Sequence, residues 1–196
     1  MVKKITIYKI IQLFTNDYRR KLYLREISRL LGKPHQSLKI YLNELESKKI
    51  LIKNKRKNIS EYFLNLKNKL IKDYIVISEK EKTIEVIEKN ILLKSLYEKL
   101  WSYFPENTFV IFGSSVNKIN KKSDIDLLVI GRSKVNRVLN EFEEIYNKKI
   151  HKVQITSLNK LSPAFTKELF SKHIILNNTE EVINFFYKKN EENILV

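Results

Sequence analysis

Apolar positions change period several times along the chain, and each change marks an element. Ile7, Ile10, Ile11 and Phe14 recur at helical spacing and predict a first amphipathic helix. A second runs from Tyr23 to Leu31 and stops at Gly32. Lys33-Pro34 restarts the chain, because proline fits the first turn of a helix. In the third helix Leu38, Leu42 and Leu45 share a face with Tyr41 beside them, while Gln36, Lys39, Ile40 and Asn43 lie opposite. After Lys49 the pattern shortens to two strands around a basic tip, Asn54–Asn58.

Residues 67–105 return to helical spacing through Ile71, Ile75, Val76, Ile84, Ile87, Ile91, Leu92, Leu96, Leu100 and Trp101. Glu79 to Leu100 predicts one helix, with Glu and Lys on its polar side. No glycine or proline falls between Pro34 and Pro105, so this stretch reads as a helical connector rather than a flexible linker. Pro105-Glu106-Asn107 marks a turn. Thr108–Phe112 then reads as a buried strand broken at Gly113, and Asp124–Ile130 as a second strand. A helix follows over Lys134–Tyr146, with Val135, Val138, Leu139, Phe142 and Ile145 inward, then a strand over His151–Thr156. The tail reads as a strand containing a structural His173, a turn at Asn177-Asn178, and a helix capped by Thr179 that frays after Lys188. The fold class is α+β, in three parts: residues 1–66, 67–105 and 106–190.

Candidate chemistry sits where the strands break. Asp124 and Asp126 lie two residues apart in an apolar run, so their side chains share one strand face while Ile125 points into a core. Like charges that close repel unless a cation bridges them, and oxygen donors suit Mg²⁺ or Mn²⁺. About ten residues upstream, Gly113 lets the backbone approach a ligand, and Ser114 offers a hydroxyl and an N–H. Gly113-Ser114 followed by Asp124-Ile125-Asp126 resembles the nucleotidyltransferase superfamily of DNA polymerase beta, most closely its minimal nucleotidyltransferases.

That resemblance implies a mixed β-sheet flanked by helices, a nucleoside triphosphate held by Gly113 and Ser114, and metal ions on Asp124 and Asp126. Lys118, with Lys121 and Lys122, would neutralise phosphate charge. The family's third carboxylate is expected on the strand after the helix, at the position of Gln154. An amide there brings neither negative charge nor a proton acceptor. Glu143 and Glu144 are alternative carboxylates on the preceding helix. The Arg-Gly pair usual in the family is replaced by Asn117-Lys118, which supplies charge without a bidentate fork.

Charge changes the picture for the first third. The chain carries a formal net charge of +16, and residues 1–66 hold 16 Lys and Arg against 5 Asp and Glu. A positive field concentrated there favours a polyanion. Helix, helix–turn–helix and basic hairpin resemble the winged helix-turn-helix of prokaryotic transcription regulators. By that resemblance Lys33, His35, Gln36, Ser37 and Lys39 approach the major groove of double-stranded DNA, with Gln36 the candidate base reader. Lys53, Lys55, Arg56 and Lys57 on the wing meet phosphates. Such modules also serve as protein–protein or dimerisation units, and the connector helices offer a homodimer surface.

Cysteine is absent, so disulfides and thiolate zinc sites are excluded. No apolar run reaches the ~18 residues of a membrane span, and the N-terminus lacks the build of a signal peptide. A cytoplasmic protein is expected. The sequence supports a DNA-binding regulator whose nucleotide site turns over weakly or not at all. Two alternatives stand beside it: an active Mg²⁺-dependent nucleotidyltransferase acting on a protein, RNA or small-molecule hydroxyl, and an antitoxin-type protein with a toxin-like partner.

Overall fold

A computed structural model describes residues 5–56, 59–116 and 124–195. Its contacts divide the chain into two compact units, residues 1–79 and 80–196.

The first unit opens with α1 (Ile7–Ile11), capped by Thr6, whose hydroxyl accepts from Lys9 N at 3.1 Å. The helix is a single short turn or so, and Phe14 is buried from the turns that follow rather than from α1 itself. β1 (Leu22–Tyr23) leads directly into α2 (Leu24–Leu31), where Glu26 accepts from Tyr23 N at 2.8 Å. Gly32, at φ +60°, ends α2 in the left-handed conformation. α3 (His35–Ser47) buries Leu38, Leu42 and Leu45. β2 (Leu51–Arg56) and β3 (Ile59–Leu64) pair antiparallel, and β1 joins the other side of β3. β2 runs into the expected tip as far as Arg56, so Lys55 belongs to a strand.

α4 (Ile71–Lys89) crosses the boundary between the units, and α5 is Ile91–Leu100. The continuous helix expected over Glu79–Leu100 is therefore broken at Asn90. Its side-chain oxygen accepts from Leu92 N and Leu93 N, an N-cap that competes with helix continuation.

The second unit is built on four strands: β4 (Asn107–Phe112), β5 (Ile125–Gly131), β6 (Ile150–Ile155) and β7 (His173–Ile175), in the order β6-β5-β4-β7. β4 is antiparallel to β5 and β7, whereas β5 and β6 are parallel, joined through α6 (Asn136–Tyr146). Phe109, Ile111, Ile125, Leu127, Val129 and Ile174 form one face, packed on Leu93, Leu96 and Leu100 of α5 and Val138, Leu139 and Phe142 of α6. Ile145, expected inward, is 63% exposed; the last turn of α6 passes beyond this cluster, and Tyr146 contacts the Phe142 ring instead.

The other face meets α7 (Pro163–Ser171) and α8 (Thr179–Glu191). Phe112 packs on Phe165, and His173 on Phe186. The N-cap of α8 is Asn178, not Thr179, and the helix continues to Glu191, beyond the expected fraying point. Asn177 fixes this corner: it accepts from Phe109 N at 2.8 Å and donates to Asn107 O at 2.7 Å.

Candidate functional site

β4 ends where the chain turns through Gly113–Val116, and β5 begins beside that turn, with Phe112 paired to Asp126. Gly113 adopts φ +69°, and a Cβ built on it would stand 2.8 Å from Asp126 Oδ2. The backbone conformation favours glycine here, and a side chain would also press on the Asp126 carboxylate. The two serines that follow divide their work. Ser115 is buried, donates to Phe112 O at 2.7 Å and accepts from Asp126 N at 3.4 Å, tying the turn to β5. Ser114 is exposed and free of that structural duty.

Ile125 is fully buried, while Asp124 and Asp126 face outward together, as strand alternation requires. The residue set against them on β6 is His151. Parallel pairing puts it level with Asp126, with Nε2 3.4 Å from Asp124 Oδ2 and Nδ1 3.6 Å from Asp126 Oδ1. An imidazole presenting both nitrogens to carboxylates donates to both only when protonated.

Gln154, expected at the third-carboxylate position, lies elsewhere. It pairs with Val129, a member of the buried cluster, so its side chain is on the opposite sheet face from Asp126. Three residues at about 3.3 Å each also carry it roughly 10 Å along the strand. Its amide donates to Gly131 O and Ser133 O. The strand register, absent from the sequence pattern, caused the misplacement; the signal for His151 was its being the one imidazole of that strand. Glu143 is excluded as a surrogate too, since it accepts from Ile150 N at the start of β6, and Glu144 is exposed on α6. Lys118, Lys121 and Lys122 lie outside the described residues.

The carboxylate pair fits a divalent cation in charge and donor type. Among the described residues, no group of three or more His, Cys, Asp and Glu is placed to hold a metal ion.

In the first unit His35, Gln36, Ser37 and Lys39 are exposed on the first turns of α3, although Ser37 spends its hydroxyl proton on Pro34 O. Lys33 is half-buried, and its backbone is bonded both ways to Ser28. Lys53 is held 3.5 Å from Glu46 and over the Tyr62 ring, so its charge is already engaged. Lys55 is exposed; Lys57 and the Arg56 side chain lie outside the described residues.

Gly113, Asp124, Asp126 and His151 all fall in the one segment that a family model matches. Residues 94–182 match the polymerase beta nucleotidyltransferases. The matched segment begins in α5 and extends into the first turn of α8. Two solved crystal structures of the toxin–antitoxin MntA–HpeT, one an aspartate-to-glutamate double mutant and one a tyrosine-to-alanine mutant, overlap part of the chain. Their identities are 14% and 16%, both TM-scores are 0.39, and the overlap covers 51% of this chain and 84% and 83% of theirs. No curated protein matches the chain.

Proposed function

We propose that the nucleotidyltransferase domain binds a nucleoside triphosphate with Mg²⁺ or Mn²⁺ and transfers its nucleoside monophosphate to an acceptor hydroxyl. The observation that carries this reading is the space shared by Gly113 and Asp126, with Asp124 on the same face. It sets an exposed serine and an open backbone beside two carboxylates, which is the arrangement a metal-bound triphosphate needs.

In the reaction the acceptor oxygen bonds to the α-phosphorus, the α–β bridging bond breaks, and pyrophosphate leaves with the electron pair. The hydroxyl proton passes to a base. When bound, the cation supplies Lewis-acid polarisation of the phosphate oxygens. Asp124 and Asp126 hold that cation, and the Gly113 backbone and Ser114 hydroxyl approach the triphosphate. His151, unlike the amide of Gln154, has a lone pair that accepts a proton, and this favours turnover over binding alone.

Incubation with labelled nucleoside triphosphates and Mg²⁺ or Mn²⁺ tests the assignment. Label transfer with pyrophosphate release is expected from the natural chain and not from Asp124→Ala, Asp126→Ala. Equal labelling by that variant would reject it. The labelled species, whether RNA, small molecule or a toxin-like protein, identifies the acceptor.

A second reading concerns the first unit, which we read as a winged helix-turn-helix that binds duplex DNA and makes the protein a regulator. It is supported by the order helix, strand, helix, helix, hairpin, and by α3 turning His35, Gln36 and Lys39 to solvent over a buried leucine face. Gel shift against genomic fragments at physiological salt tests it. Absence of any duplex complex would reject it.

A further inference from the structure

α4 packs on the second unit through one side only. There Thr83 donates to Ile175 O at 2.8 Å, and Val86 packs against the buried cluster. Side chains four residues apart line up as ridges along a helix. The ridge Lys80-Ile84-Glu88 is exposed at all three positions, Ile84 at 56%, and lies wholly in the second unit. Between it and the next ridge, Thr83-Ile87, runs a groove of about 360 Å³ that Tyr97 and Trp101 extend. Trp101 is 62% exposed, its ring 5.8 Å from that of Tyr97. The groove is apolar, open and flanked by charge.

Those charges are the informative part. Glu85 and Lys89, on the neighbouring ridge, pair with each other at 3.7 Å. Lys80 and Glu88 have no ion-pair partner among the described residues. They stand four residues either side of Ile84 and carry opposite signs. About 12 Å of helix rise separates them, so they do not meet within one chain.

We infer that this ridge is the two-fold contact of a homodimer, in which a second copy lays its own ridge antiparallel along the groove. Ridges of the i±4n kind packed into i±4n grooves give the commonest helix crossing, at about −50°. With the two-fold axis perpendicular to the ridges, each Ile84 enters the other chain's groove beside Ile87. Lys80 then lies against the partner's Glu88, and Glu88 against the partner's Lys80. A two-fold contact must be complementary to itself. Opposite charges set symmetrically about an apolar centre meet that condition, whereas like charges there would repel. This self-complementarity selects a second copy of the chain as the occupant.

Sedimentation equilibrium of the full chain tests the contact. The natural chain should dimerise in the micromolar range, more weakly as salt is raised. Ile84→Glu sets two carboxylates together at the centre and should weaken the dimer about 100-fold. Lys80→Glu alone, or Glu88→Lys alone, turns both charge contacts into like pairs and should weaken it about tenfold. The chain carrying both reversals should dimerise as the natural one does. The decisive arm mixes the two single variants. Each is weak with its own copy, yet between them every contact is opposite in sign, so a heterodimer of natural affinity is expected. Loss of folding does not mimic that rescue, and circular dichroism confirms the fold of Ile84→Glu.

A natural chain that stays monomeric up to about 100 μM overturns the inference. A dimer left intact by Ile84→Glu also overturns it, because the interface then lies elsewhere. Absence of rescue in the mixture overturns the antiparallel pairing of Lys80 with Glu88. An assembly larger than two chains overturns the two-fold contact.

Discussion

Replacing Gly113 by alanine tests whether the turn after β4 is shaped for the carboxylates or only for the chain. At φ +69° an L-residue carries a left-handed strain of about 1–2 kcal/mol. The added methyl would meet Asp126 Oδ2 at 2.8 Å, Cγ at 3.6 Å and Cβ at 3.8 Å. Ordinary contact begins near 3.4 Å, so the carboxylate must retreat by about 0.6 Å. A misplacement approaching 1 Å in a reacting centre costs up to ~100-fold in rate. We therefore expect Gly113→Ala to lose about 1–3 kcal/mol of stability and 10- to 100-fold in nucleotidyl transfer. Gly32→Ala supplies the comparison, because Gly32 has φ +60° with nothing within 4 Å of a built Cβ. It should lose the strain energy alone and transfer label normally. Urea unfolding and initial rates of pyrophosphate release measure the two quantities. If Gly113→Ala matched Gly32→Ala in both, the close approach to Asp126 would have no functional meaning.

Other substitutions separate the remaining roles. His151→Ala should lower the rate of label transfer about 100-fold while cation affinity is retained, read by initial rates and isothermal titration; an unaltered rate would remove His151 from the role of base. Asn177→Ala strips β4 of bonds to Phe109 N and Asn107 O and should cost about 2–4 kcal/mol in urea unfolding, with a loss below ~0.5 kcal/mol counting against its role as a fastening. Gly131→Ala would press a methyl to 2.6 Å from Glu106 O, a backbone atom that cannot swing aside. It should destabilise the domain more than Gly113→Ala, and cation affinity in the fraction that remains folded should be unchanged.

Much of this protein is legible from spacing alone. The helical repeats of Leu38, Leu42 and Leu45 and of Val138, Leu139 and Phe142 each mark a buried face, because a 3.6-residue period leaves few other placements. Asp124 and Asp126 share a face because alternation in a strand is local. Local competition was harder to read. At Asn90 a capping side chain ended a helix that apolar periodicity would have continued, and at Asn177 what reads as a turn residue binds β4 by both ends of its amide.

The sequence by itself determined which residues could do chemistry, since Gly113, Asp124 and Asp126 are fixed by short-range geometry: a left-handed turn and a two-residue alternation. What lies across from them was decided only by the tertiary structure. Moving a strand by three residues changes both its level and its face, so the choice between Gln154 and His151 depended on the pairing of β6 with β5. That pairing is held by hydrogen bonds and packing between segments separated by a whole helix, and no local pattern encodes it.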